Sequence, residues 1–205
     1  MEKDSFFTIK ESCSGFYKEK GSKFYAFAFP AQNKEDVQKH LAGLKKEFHD
    51  ARHFCYAYIL GELGEESRAN DDGEPSNSAG KPILGQLRAF DLTQTLVVVV
   101  RYFGGTKLGV GGLIQAYKES SKLALSEAQI IEKTITLPFS LHFGYPELNT
   151  VMRLIKDLPL ENQNREFMED CKLHFSIRKG EISTLEQRFT DIKNITLINP
   201  RKEKT

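Results

Sequence analysis

The chain has 205 residues, 40% hydrophobic and 11% aromatic, with fifteen Phe and no Trp. That supplies ordinary cores and excludes disorder as the default state. Lys and Arg number 29 against 28 Asp and Glu, a net charge of +1, which excludes a broad basic surface coating phosphates and makes any anion binding local. The length suits two domains of about 70–140 residues each. Cys13, Cys55 and Cys171 are far apart, with no C-x-x-C pair, so neither a disulfide framework nor a zinc site is indicated. Cys55 and Cys171 lie in apolar runs and read as buried free thiols. The start MEKDSFFTIKES has no signal-peptide core, and the longest apolar run, Leu96 to Val100, is too short to span a bilayer. The expectation is a cytoplasmic protein without a membrane partner.

In chain order, Ser22 to Phe29 reads as a strand ending at Pro30. Asn33 offers an N-cap, Glu35 and Asp36 suit a first turn, and Val37, Leu41, Leu44 and Phe48 predict a helix to about His49. Phe54 to Leu60 is a second strand. Residues 61–80 are dense in turn formers and predict one long loop. Pro82 is expected as the first residue of a short helix with Ile83, Leu84 and Leu87. Leu96 to Val100 predicts a strand covered on both faces. The run FGGTKLGVGG follows, then a helix with Leu113, Tyr117 and Ala124 on one stripe.

The second half alternates more plainly. Ile135, Leu137, Phe139, Leu141 and Phe143, and again Cys171, Leu173, Phe175 and Ile177, mark half-buried strands. Between them Pro146 opens a helix with Leu148, Met152 and Ile155, and Leu158 to Met168 is a further strand. Ile182, Leu185, Phe189 and Ile192 predict a second helix, and Ile195 to Ile198 a last strand. The order β-α-β-β-α-β is a split βαβ, ferredoxin-like unit. The expected fold is α+β, with domains at 1–134 and 135–205, and the tail PRKEKT is expected to fray. The open face of the second sheet would carry His142, His174, Lys172 and Arg178. Its Phe residues share the helix-covered face, which argues against an RNA-recognition motif with a stacking platform.

Two segments could carry chemistry. Arg101 to Gly112 places Gly104, Gly105, Gly109, Gly111 and Gly112 between a buried strand and a helix, with Arg101 and Lys107 as cations. A helix start supplies unpaired N–H groups and a positive dipole end, so these are parts of a phosphate cradle. A tight packing connection fits the same glycines. The run is neither a Walker A loop nor G-x-G-x-x-G. In the second segment, Asp71, Asp72 and Glu74 could hold a hard divalent cation such as Mg²⁺. They could equally bend the chain or pair with Arg68, Lys81 or Arg101. His53 is a candidate phosphate contact or acid–base group. No nucleophilic triad or dyad is legible, so no catalytic residue is assigned.

The strings GSKF at 21–24, ARHFCYAY at 51–58, NDDGEPSNSAGKPIL at 70–84 and VVVVRYFGGTKLGVGGLIQAY at 97–117 together resemble the IMPACT/YigZ family over most of residues 18–130. One departure is visible: the family usually reads GEPSGTAG, and here Asn77 and Ser78 replace Gly-Thr. The resemblance implies an N-terminal βαβ domain like those of ribosomal proteins and domain IV of elongation factor G. It also implies a ferredoxin-like second domain similar to domain V of that factor. Eukaryotic relatives regulate translation with an extra RWD domain, for which no segment is expected here. Their partner-binding activity is therefore not carried across; for the two-domain relatives, nucleic-acid or ribosome binding is what fold analogy implies. The expected function is thus a translation-linked protein that binds RNA or the ribosome, and the residues read above offer its phosphate contacts at Arg101, Lys107, Lys81, Arg68, His53 and the glycines. A binder of, or Mg-dependent enzyme on, a phosphorylated small molecule is the alternative, and a protein-interaction adaptor a third reading.

Overall fold

The structure is a computed structural model that describes residues 4–190 and 192–199. The tail expected to fray, from Pro200 on, lies outside the described residues. The chain divides into two compact units: Ser5–Lys133, and the residues from Thr134 on together with Asp4.

The larger unit is built on an antiparallel sheet. Its elements begin with β1 (Ser5–Ile9), β2 (Cys13–Glu19), β3 (Ser22–Pro30), α1 (Lys34–Glu47), β4 (His53–Leu60) and β5 (Glu66–Asn70). They continue with α2 (Gly80–Ala89), β6 (Thr95–Tyr102), α3 (Gly109–Ser126) and β7 (Ile130–Thr134). Five strands run in the order β2-β3-β6-β4-β5, and β1 pairs with β7 in a separate two-stranded sheet. The continuous run in β6 is buried on both faces, as a central strand must be. Val97 and Val99 face α2 and α3, packing with Ile83, Leu87, Leu113 and Tyr117, while Val98 and Val100 face α1 through Val37 and Leu44. Asn33 caps α1 as expected, its side chain accepting from the Asp36 N–H at 2.9 Å.

The smaller unit runs β8 (Thr136–Gly144), α4 (Leu148–Ile155), β9 (Leu160–Phe167), β10 (Asp170–Arg178), α5 (Ile182–Phe189) and β11 (Ile195–Ile198). Its strands order as β11-β8-β10-β9, all antiparallel. The inward residues Phe139, Leu141, Phe143, Leu173, Phe175 and Ile177 pack on Val151, Ile155, Leu185 and Phe189 of the two helices. On the other face the His142 and His174 rings meet edge-on at 6.4 Å, and Ser140 Oγ lies 2.6 Å from His174 Nδ1.

Several expectations are corrected. Residues 61–80 are not one loop, because Glu66–Asn70 pairs with β4 as an edge strand. The helix after it starts at Gly80, not Pro82. Pro146 lies in a 3₁₀ turn, and α4 begins at Leu148. Ile192 lies beyond α5 but still packs on that core. Strands β1, β2 and β7 had no reading at all.

Candidate functional site

The site is built where β6 ends and α3 begins. Arg101 is the penultimate residue of β6, paired across the sheet with Phe24 on β3 and His53 on β4. Burying its guanidinium requires a counter-charge. Glu74 supplies it: Arg101 Nη1 donates to Glu74 Oε1 at 2.6 Å, with both side chains almost wholly buried. The same Oε1 accepts from the Tyr117 hydroxyl at 2.7 Å. Cys55 Sγ lies 3.3 Å from that hydroxyl and 2.9 Å from the Asp71 carbonyl. Burial pushes both the Cys55 thiol and the Tyr117 phenol well above their ordinary values, so neither is a ready nucleophile. The guanidinium also lies between the Phe24 and Phe103 rings, at 5.5 and 5.8 Å from their centroids. Arg101 Nε is buried and has no hydrogen-bond partner among the described residues.

A cleft of about 350 Å³ opens beside this pair, walled by Glu74, Arg101, Phe103, Lys107, Gly109 and Val110 among others. Helix α3 starts at Gly109 with no side-chain cap, so its first N–H groups have no side-chain acceptor. Lys107 is exposed and has no ion pair among the described residues. Phe103 is 57% exposed. A second hollow of about 320 Å³, lined by Asp50, Arg52, His53, Arg101, Tyr102 and Phe103, adjoins the same residues.

The carboxylates of the 70–75 segment serve the fold. Asp71 Oδ1 accepts from the N–H groups of Ala79 at 3.0 Å and Gly80 at 2.8 Å, and Oδ2 from Asn77 at 2.8 Å. It therefore caps α2 from outside the helix. Burial pushes its carboxyl up, but the three backbone donors together with Lys81 outweigh this and hold it below its ordinary value. Asp72 Oδ2 accepts from the Phe54 N–H at 2.7 Å, and its carbonyl accepts from His53 Nδ1 at 2.9 Å. A carbonyl cannot donate, so His53 carries its proton on Nδ1. Ser78, fully buried, donates to the Pro75 carbonyl at 2.6 Å.

Sequence expectation and structure part here in several places. Asp71, Asp72 and Glu74 do not converge as a metal site. Each is committed to a different protein partner, and among the described residues no three His, Cys, Asp or Glu side chains group to hold a metal. Arg101 is not an open cation, because Glu74 neutralises it. Arg68 lies on the edge strand β5, its charge beside Glu66 and Lys34 and away from the cleft. Lys81 sits in the first turn of α2 beside Asp71 and does not line the cleft. His53 is tied to the Asp72 turn. Gly104 packs: a Cβ there would fall 1.9 Å from the Gly21 carbonyl carbon. Gly111 and Gly112 are helical, while Gly105, at φ +87°, and Gly109, at φ +71° where α3 begins, are left-handed with open space around them. What remains at the cleft is Lys107, the bare start of α3 and Phe103. Phe103 and Ser22 were missed in the sequence. Ser22 Oγ is a shared partner, 3.4 Å from Arg101 Nη2 and accepting from the Gly104 N–H at 3.1 Å. No local pattern marks it, since both contacts cross about 80 residues of chain.

A helix-flanked antiparallel sheet joined to a βαββαβ unit, with a buried Arg–Glu pair under a glycine-rich turn, defines the class. The chain belongs to the IMPACT family: residues 20–125 match the Impact N-terminal domain. It is 30% identical over 190 residues to the IMPACT family member YvyE of Bacillus subtilis (strain 168), covering 93% of this chain and 88% of that one. It is 28% identical over 180 residues to the IMPACT family member YigZ of Escherichia coli (strain K12), covering 87% and 88%. The crystal structure of a hypothetical protein matches with a TM-score of 0.70 at 24% identity, covering 96% of this chain and 98% of the other, a likeness of fold. No helix among the described residues is long and apolar enough to cross a membrane.

Proposed function

We propose that the protein is a translation-linked, cytoplasmic nucleic-acid or ribosome binder that receives a phosphate group at the start of α3. The observation that carries this reading is Arg101 Nε. A buried cationic side chain with an unpartnered donor lines the same cleft as an uncapped helix start. Natural structures rarely leave such a donor unpaired, and the helix start lining the same cleft suits an anion. Lys107 supplies the net positive charge that Arg101, neutralised by Glu74, does not. Membership of the IMPACT family, with the resemblance stated above, supports the translation link. The finer fold assignments belong to the same proposal. The larger unit is read as a ribosomal-protein or elongation-factor-domain-IV type. The smaller is read as ferredoxin-like, supported by its βαββαβ order and its antiparallel strand order β11-β8-β10-β9. The alternative, a Mg-dependent enzyme on or a binder of a phosphorylated small molecule, would use the same cleft, but Asp71, Asp72 and Glu74 each already accept from protein groups.

Purification of the native protein from lysate at low and high salt tests the reading. RNA that accompanies it at low salt and leaves at high salt is the expected result, because phosphate contacts release counterions. Protein free of nucleic acid at both salts contradicts it.

A further inference from the structure

The sheet of the larger unit has a second surface, on the face opposite α3. Alternation along β2 and β3 turns Gly15, Tyr17, Phe24 and Ala26 toward α3. It leaves Phe16, Lys18, Lys23 and Tyr25 on the opposite face. On that face α1 packs over β4 and β6, but β2 stays open, with Ser14, Phe16 and Lys18 all exposed. Phe16 is 49% exposed, a large apolar side chain in the middle of an edge strand.

The rings there form a continuous strip. Phe16 lies 4.9 Å from Tyr25, and Tyr25 lies 6.0 Å from Tyr102, edge-on. The Tyr102 hydroxyl donates to Asp50 at 2.6 Å, which holds its ring in place. Register sets two lysines beside the rings: Lys18 pairs with Lys23, and Lys23 with Tyr102. Past Tyr102 comes Phe103. Those two rings, with Gly21, Lys23, Tyr25 and Phe48, bound a hollow of about 280 Å³. Phe103 also walls the phosphate cleft at α3.

The charge on this strip is net positive. Lys18 and Lys23 stand on it and Arg52 beside it, against the single Asp50 carboxylate, which the Tyr102 hydroxyl holds below its ordinary value. Glu19 lies on the other face, accepting from Tyr17 at 3.1 Å. Exposed Phe16 and Phe103 and the half-buried Tyr25 and Tyr102, interleaved with lysines, suit a ligand that offers flat apolar faces and regular negative charge together. Unpaired nucleotides do so. A duplex hides its base faces, and an acidic peptide has none to stack.

We infer that this face is a track for single-stranded nucleic acid, with bases stacked on Phe16 and Tyr25, phosphates on Lys18 and Lys23, and the strand leading past Tyr102 to the Phe103 cleft. The inference rests on the nucleic-acid reading above and deepens it by naming the ligand as unpaired strand.

The sequence contains no Trp, so Phe16→Trp creates a single reporter on the strip. Its emission is followed during titration of the full chain with a 12-nucleotide oligouridylate and, separately, with a 12-base-pair RNA duplex. Stacking predicts strong quenching by the single strand and little by the duplex. Phe16→Ala is expected to weaken single-strand binding about tenfold, and Phe16→Tyr to retain it. Lys18→Glu with Lys23→Glu, which leaves the apolar packing alone, is expected to abolish it at moderate salt. Single-strand binding with no quenching, and unchanged in Phe16→Ala and in the lysine variant, overturns this inference while leaving the α3 cleft standing. Preference for the duplex also overturns it. A chain that binds neither RNA overturns the inference and the proposed function together.

Discussion

At Gly104 and Gly111 the same residue type serves two different ends. A Cβ on Gly104 would strike the Gly21–Ser22 backbone, whereas one on Gly111 meets nothing within 4 Å. Gly104→Ala is expected to cost at least about 1–3 kcal/mol by overpacking. Gly111→Ala, in the first turn of α3, is expected to gain about 0.5 kcal/mol from reduced backbone freedom. Thermal unfolding separates the two. If Gly111→Ala gains stability yet loses RNA affinity, the first turn of α3 approaches the ligand closely. Glu74 makes a second case. Glu74→Gln keeps the shape and an acceptor for Tyr117 but leaves the Arg101 charge buried without a counter-ion. A loss of about 3 kcal/mol is expected, read as a midpoint lowered by roughly 6–12 °C. An unchanged midpoint would mean that the pair is not the buried unit described. Asn77, the departure from the family pattern noted in the sequence, stands at φ +64°. Asn tolerates that region better than most residues, which explains why this departure leaves the turn intact.

Among the elements, α2 depends on a carboxylate that is not part of it. Asp71 caps it with three backbone donors. Its carboxyl is held below the ordinary value of 3.8. A carboxyl depressed in the folded state stabilises above its unfolded value and loses that contribution as pH falls through the folded one. Asp71→Asn is expected to cost about 1 kcal/mol at pH 7. The difference from the parent should hold down to about pH 4 and close below it. Equal stability of the parent and Asp71→Asn at pH 7 contradicts the capping role. The elements also divide by what made them legible. Strands β8 and β10 alternate strictly because one face is covered by helices and the other is wet, and their residues say so. Strand β2 does not, since its inward positions include Gly15, where a Cβ would strike the Ala124 backbone at 2.5 Å. Strand β5, Glu-Ser-Arg-Ala-Asn, has no apolar pattern to read and exists through pairing with β4. The site was legible as a cluster of charges and glycines. Which charge meets which was not, because the Arg101–Glu74 and Tyr117–Glu74 contacts close loops of 27 and 43 residues.

For the molecule as a whole, each unit has its own core, and both cores of the larger one lie within residues 5–133. A chain ending at Lys133 is expected to unfold in a single cooperative transition of its own. A non-cooperative melt would mean that the larger unit needs the rest of the chain. The near-zero net charge makes the binding account specific: a few phosphates are met locally rather than many over a wide surface. The most direct test is the salt dependence of single-stranded RNA binding, by fluorescence anisotropy, for the parent chain and Lys107→Ala. For single strands the logarithm of affinity falls by about 0.7 per contacted phosphate for each decade of salt. The account predicts weaker binding in Lys107→Ala, with a slope shallower by about that amount. Identical affinity and slope in the two proteins, or no RNA binding by the parent at 50 mM salt, would contradict it.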